Sequence, residues 1–505
     1  MKIAGLDIGT TGCKITVFSQ DGACLDKEYR DYPSSRGLSG HEIDAKGIMN
    51  AVWEVLSAVA GRHPDISGIG VTSFGETFVL TDAEGQPLLP SMLYTDPRGG
   101  RQLKELAEKL GEKRIAHITG LRLSEMYSIP KLMWIREKKP EIFEQAKYIF
   151  LIEDFVVFHL TGQRVIDYSL ASRTMGLDIR KLEWSAEMFE AAGIDPNMMS
   201  KPVPTGTVAG NLKAEAAQKT GLGEDVKIVA ISHDQVAAAV GAGVFDAGSA
   251  VDGAGTVECL TPVYDRMPDI DKMFEGYFSV VPYVIPGTYV AYAFSYTGGA
   301  LIAWCCDQLA KKEKELAKEA GISVNEYLEK EYETLRGKEP SGMLVLPHFA
   351  GAATPYMDTG SEGAVIGLSV DTKVCELYRG CMEGVVYEMY LNHEMLADTG
   401  VSYTSLRATG GGARSKEWMQ MKADVLNVPI TALETVDAGT VGSAMLTGVA
   451  AGIFRDLAEA AQVMVQECEV YRPDPEMHEK YMKIYERYRK LYRAVRPLCR
   501  ETSAE

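Results

Sequence analysis

Several signatures are missing from this 505-residue chain. Its nine cysteines, at positions 13, 24, 259, 305, 306, 375, 381, 468 and 499, include no CxxC and are odd in number. That pattern argues against a disulfide framework and against zinc. No apolar run reaches the 18 or more residues of a membrane span, and Asp7 interrupts the start before the apolar core of a signal peptide can form. Neither a dinucleotide-type GxGxxG nor a P-loop GxxxxGK followed by Ser or Thr occurs. Positive charge is short as well: Lys+Arg 52 against Asp+Glu 70 leaves −18. Such an acidic shell disfavours nucleic acid and anionic bilayers as partners. These absences predict a cytoplasmic protein that acts on neither nucleic acid nor membrane. A nucleotide ligand stays open, because local amides and one magnesium ion can overcome a distant field.

What is present is globular, 46% hydrophobic and 24% charged, and long enough for more than one domain. Residues 2–7 read as a strand running into Asp7-Ile8-Gly9-Thr10-Thr11, residues 13–18 as a second strand, and residues 23–30, past an Asp21-Gly22 turn, as a third that pairs back. The opening returns about 245 residues later as Val251-Asp252-Gly253-Ala254-Gly255-Thr256. Two such openings predict two domains of one architecture, cut near residues 245–250, with the glycine-bearing connection 245–248 as a candidate hinge. Apolar spacing predicts a helix over 48–60. Residues 66–73 and 227–232 read as strands, the latter running into His233-Asp234-Gln235 and a small-residue helix over 236–244. Gly298-Gly299 precede a helical run, and Gly410-Gly411-Gly412-Ala413 joins a strand to a helix carrying Trp418. Residues 476–500 hold eight basic residues against three acids. Their Tyr481, Ile484, Tyr488, Leu491 and Val495 stripe favours a closing amphipathic helix over a nucleic-acid face.

The loops suggest chemistry. A Gly/Thr loop between strands crowds backbone N–H groups together, and glycine lets an oxyanion approach them. Thr10 and Thr11 add hydroxyls, Lys14 adds a mobile charge, and Asp7 is placed for a hydrated magnesium ion, which takes one or two carboxylates plus phosphate oxygens. The same string also suits an ordinary hairpin with a turn-stabilising Asp. The triple glycine at 410–412 offers a flat backbone wall for a purine or its ribose, or a helix packed closely on a sheet. Asp234 falls at the carboxyl end of a strand, where open α/β sheets place their sites. There it could accept a proton from a sugar hydroxyl, or simply cap a helix. His233 reads as a hydrogen-bonding neighbour.

Seven stretches in fixed order resemble the FGGY family of carbohydrate kinases, which includes xylulose and fuculose kinases. They are Gly5 to Thr11 with Lys14; Ser73-Phe74-Gly75-Glu76-Thr77; Leu93-Tyr94-Thr95-Asp96-Pro97-Arg98; His233-Asp234-Gln235 with Gly241-Ala242-Gly243; Gly253 to Thr256; Gly298-Gly299; and Gly410 to Ser415. The resemblance implies an α/β fold of two ribonuclease-H-like domains of the actin and hexokinase type, flanking a nucleotide cleft. Residues 1–245 would bind the sugar and residues 246–505 ATP. It implies Asp234 as general base, Asp7 with Asp234 on magnesium, and Thr10, Thr11, Lys14, Gly255 and Thr256 on phosphates. Gly298, Gly299, Gly411 and Gly412 would touch the nucleoside, while Glu76 and Asp96 face sugar hydroxyls. Three departures concern the substrate. Glycerol kinases carry Arg-Glu where this chain has Gly75-Glu76, an aromatic pair where it has Met126-Tyr127, and Phe where it has Cys259. Losing an arginine donor and two aromatic walls predicts a roomier pocket. Asp252 is expected either to reach magnesium or to cap a turn, and a homodimer is left open. An actin-like ATPase and a catalytically silent sugar- or nucleotide-binding regulator are the rival readings.

Overall fold

The computed structural model describes residues 1–37, 40–434 and 437–500. Lys2–Ile8 alternates little because both its faces are covered: Ile3, Ala4, Leu6 and Ile8 are all fully buried. On one face lies the helix Ala45–Arg62, capped by Asp44 through the Lys46 N–H and burying Ile48, Val52, Val55, Leu56 and Val59, each worth about 1.5–3 kcal/mol of transfer free energy. The helix predicted over 48–60 thus starts and ends slightly further out. On the other face lies Ala438–Ala450, a helix from the far end of the sequence. It approaches at backbone distance, since a β-carbon on Gly5 would collide with the Thr440 carbonyl, and the Ser443 hydroxyl donates to the Gly70 carbonyl at 2.9 Å.

Lys2–Ile8 pairs antiparallel with Gly12–Ser19 and parallel with Ile66–Ser73, which pairs parallel with Lys227–His233 and through it reaches the antiparallel Thr207–Asn211. Cys24–Asp31 closes the other edge of this six-stranded sheet. Ser249–Ala254 repeats the plan. It pairs antiparallel with Glu258–Tyr264 and parallel with Ser405–Thr409, which is followed by the parallel Ile430–Leu433 and the antiparallel Glu467–Tyr471. The chain passes from one sheet to the other between His233 and Ser249.

Each sheet is followed at the same place by a small-residue helix, Asp234–Gly241 in one and Ala438–Ala450 in the other, and the two pack on each other between the sheets. A β-carbon at Gly241 would collide with the Ala438 carbonyl, and one at Gly442 with the Ala237 carbonyl. Only glycine permits that crossing. Residues 74–206, inserted between Ile66–Ser73 and Thr207–Asn211, build a further apolar core around Phe78, Leu132, Ile135, Leu170 and Phe189.

The closing segment is broken, as Pro475–Tyr488 followed by the short Leu491–Val495. Its Tyr481, Tyr485 and Tyr488 are buried, and Lys480, Arg496 and Arg500 are ion-paired to Glu339, Asp358 and Glu362. The segment packs as part of the core, and four of its eight basic residues, Lys480, Arg489, Arg496 and Arg500, are ion-paired. Among the described residues no helix is long and apolar enough to cross a membrane.

Candidate active site

Register builds the site. Asp7 lies opposite Lys14 on one side and Thr72 on the other, and Ser73 lies opposite His233. Asp7, Lys14 and Asp234 therefore emerge together at the carboxyl ends of the parallel strands. The Gly9 N–H donates to the Gly12 carbonyl at 2.9 Å, and Tyr32 holds the loop from behind through the Gly9 and Thr11 carbonyls. Among the described residues, the Thr10 and Thr11 N–H groups find no partner. Lys14 Nζ lies 2.9 Å from Asp437 and 3.9 Å from Asp7. Asp437 comes from the second half, at the start of Ala438–Ala450, and sequence reasoning missed it. The signal was there, because Asp437-Ala438-Gly439-Thr440 repeats the acid–Gly–Thr string. Burial lifts Asp7 to about 6, against the pull of Lys14 and with the push of Asp437. Two carboxylates held this close form a hard-oxygen donor set that suits magnesium. No cluster of three or more ligating side chains exists among the described residues, as expected where phosphate and water supply most of the ligands.

Asp234 opens its helix with the side chain about one-third exposed. Burial, then the charge of Asp7, raises its carboxyl to about 7, with Glu76 adding to the push and Arg173 opposing it. Its Oδ1 accepts from the Gln235 N–H at 2.7 Å and lies 3.2 Å from His233 Nε2. His233 is held neutral by burial and by Arg173, and its Nδ1 is 3.2 Å from the Tyr292 hydroxyl. The His233 ring packs beside the carboxylate, and the Gln235 N–H is the hydrogen bond that holds Asp234 in place.

Glu76, almost fully buried, sits at φ 64, a strained conformation for a non-glycine residue. Ser128 Oγ holds its carbonyl at 2.6 Å, and Arg173 Nε donates to its Oε1 at 2.6 Å. A β-carbon at Gly75 would lie 3.1 Å from both Arg173 Cγ and His233 Cδ2. The stem of Arg173 thus lies beside Gly75: an arginine arrives from residues 168–173, where position 75 supplies none. Tyr127 and Tyr292 flank the guanidinium, with ring centres 5.1 and 5.8 Å from its central carbon.

Asp96 is also corrected. It is fully buried, and its oxygens accept from the His41 N–H at 2.8 Å and from Arg98 N–H, Nε and Nη2 at 2.9, 2.8 and 2.6 Å. With every lone pair committed, it braces the wall and cannot meet a hydroxyl. Its neighbour Tyr94 is exposed, in the field of Glu76 and Asp234.

In the second half, the Gly255 N–H folds back onto the Gly253 carbonyl, while the Gly298 and Gly299 N–H groups donate to the Thr256 and Gly255 carbonyls at 3.0 and 2.9 Å. Gly410, at φ 89, abuts the Ala254 carbonyl, Gly411 faces open space, and Gly412 packs on Trp418 and Ala254. These glycines draw the Gly255–Thr256 turn, the Gly298–Gly299 helix start and the triple glycine together. Asp252 neither reaches a metal nor caps a turn. Fully buried, it takes Lys422 Nζ at 2.6 Å, and the same ammonium pairs with Glu258 and lies over Trp418. Burial and Asp252 push the Glu258 carboxyl well up.

Known proteins match the chain along nearly its whole length. The model of the FGGY family of carbohydrate kinases, N-terminal domain, matches residues 2–241, and that of its C-terminal domain matches residues 261–451. The chain is 27% identical to a xylulose kinase of Bacillus subtilis, over 95% of this chain and 94% of that one. It is 28% identical to a gluconokinase of the same organism, over 94% and 93%. The crystal structure of a xylulose kinase from Rhodospirillum rubrum superimposes with a TM-score of 0.87 at 25% identity, covering 99% of each chain.

Proposed function

The chain belongs to the FGGY family of carbohydrate kinases, two-domain enzymes of actin and hexokinase-like fold that phosphorylate sugars with ATP, and from that premise we propose how its residues divide the work. Asp234 takes the proton of the sugar hydroxyl as that oxygen attacks the γ-phosphorus of ATP. The observation that carries this is its position: about one-third exposed at a strand end, held by the Gln235 N–H, with a carboxyl near 7 that is matched to proton transfer at neutral pH. Glu76, with Arg173 behind it, grips the sugar. The unpaired Thr10 and Thr11 amides, Lys14 and Thr256 receive phosphate oxygens, and Gly255, its own N–H already bonded, leaves room for them to approach. Gly298, Gly299, Gly411 and Gly412 present backbone to the nucleoside. Phosphoryl transfer needs such positioning and charge neutralisation more than covalent help. A magnesium ion held by Asp7, with Asp234 and Asp437 beside it, would supply part of that neutralisation. The division into a sugar-binding half, 1–245, and an ATP-binding half, 246–505, is supported by the change of sheet between His233 and Ser249. An ATPase would have no use for a buried Glu76–Arg173 pair at the attacking side.

The test is ADP release measured against ketoses, alditols and deoxy sugars. Asp234→Asn should keep ATP and sugar binding while lowering turnover by about 10²–10⁴-fold. Near-normal turnover in the folded variant would remove Asp234 from the role of base.

A further inference from the structure

Xylulose kinases and gluconokinases are both among the similar proteins, so family membership leaves the charge of the sugar open. Resting on the kinase reading above, we propose that the Glu76–Arg173 pair selects an uncharged sugar that presents two adjacent oxygens, a hydroxyketone or a vicinal diol, and rejects aldonates.

Three observations carry this. Arg173 is more than nine-tenths buried, and its Nη1 has no hydrogen-bond partner, although Nε and Nη2 are both spent on Glu76 Oε1. A buried guanidinium N–H without an acceptor is costly unless a ligand supplies one. On the other member of the pair, Glu76 Oε2 accepts from no protein group among the described residues. One ion pair thus offers a free donor and a free acceptor side by side, the pattern that neighbouring sugar oxygens match: Nη1 gives its hydrogen to a keto or hydroxyl oxygen, and Oε2 takes the hydrogen of the next hydroxyl.

The third observation is charge. Glu76 and Arg173 cancel each other. Asp234 is negative whenever it can act as base. Nearby, Lys131 is fully buried and donates to the backbone carbonyls of Asp96, at 2.8 Å, and Glu125, and Arg98 is paired with Asp96 and Glu42. A carboxylate placed in the pocket would lose its water, gain no unpaired cation, and face two carboxylates.

Steady-state ADP release on the full chain tests this, with uncharged ketoses and alditols compared against aldonates of matched length. The best uncharged sugar should exceed its matched aldonate in kcat/KM by about 100-fold or more. Glu76→Gln keeps the shape and frees the charge of Arg173, so the aldonate-to-uncharged ratio should rise by about tenfold. Arg173→Lys keeps the charge but loses the fork, so sugar KM should rise while ATP KM holds, and the discrimination should persist. An aldonate as best substrate, a ratio that Glu76→Gln leaves unmoved, or an unchanged sugar KM in folded Arg173→Lys each overturns the proposal. The wild-type comparison stands even if Glu76→Gln does not fold. Failure to turn over any sugar, charged or not, would instead overturn the assignment of roles on which this rests.

Discussion

Asp7 and Asp234 show how one strand-end environment prepares two carboxylates for different tasks. Both are raised by burial, Asp234 to about 7 and Asp7 to about 6, and Asp7 is the charge that pushes Asp234 furthest. Since only the ionised form accepts a proton, kcat/KM should climb with pH as Asp234 titrates near 7. Asp7→Asn removes the like charge and should move that acid limb to lower pH; a limb that stays in place would mean another group sets it. The same shift bears on stability. The folded carboxyl keeps its proton up to about 7, whereas an unfolded one gives it up near 3.8, so the folded state binds more protons between those values. Stability is fully present below that window and falls as pH rises through it. Asp234→Asn should therefore unfold at a temperature equal to or above that of the native chain at pH 8, even as it loses turnover. A lower transition temperature would show that the carboxylate is needed for folding.

At the scale of elements, the second Gly/Thr turn rests on charge where packing would ordinarily suffice. Asp252 and Glu258 lie on the two strands that the turn joins, and Lys422 reaches up to both from Lys416–Leu426. Removing one partner of a buried ionic group is costly, about 3–5 kcal/mol, whereas replacing the whole group is often neutral. Lys422→Met alone should lower the unfolding free energy from urea titration by an amount of that order and raise the KM for ATP. Combining it with Asp252→Asn and Glu258→Gln should recover most of the loss. A single variant as stable as the native chain would show that the triad does not support the loop.

For the whole molecule, the proposed roles put the nucleoside-facing glycines in the second half and the sugar grip in the first, so closure should accompany catalysis and exclude water as a competing acceptor. The proposed hinge at 245–248 needs refinement. Gly248 is tied into the second sheet through Val263 and Thr404 at 2.9 and 2.8 Å, so bending belongs before it, where Gly243 takes φ 72. Small-angle scattering should report a smaller radius of gyration with the sugar and a non-hydrolysable ATP analogue together than with neither. Identical radii would mean a preformed cleft.

The repeated acid–Gly–Thr openings, the strands that end at them and the small-residue helices were legible in the sequence, because strand period, glycine and chain order are local properties. The same locality made Asp7 and Asp234 readable as strand-end carboxylates. Four features were decided only by tertiary structure. Arg173 meets Glu76 across 97 positions and replaces a donor that position 75 lacks. Asp437 crosses from the other half to Lys14. Arg98 and His41 close off Asp96, and Lys422 claims Asp252. A carboxylate in a string of letters carries no mark of its partner. Whether it faces a ligand, a metal or a buried cation depends on which distant side chain fills the space beside it, and that space exists only once both sheets and the 74–206 insertion have packed.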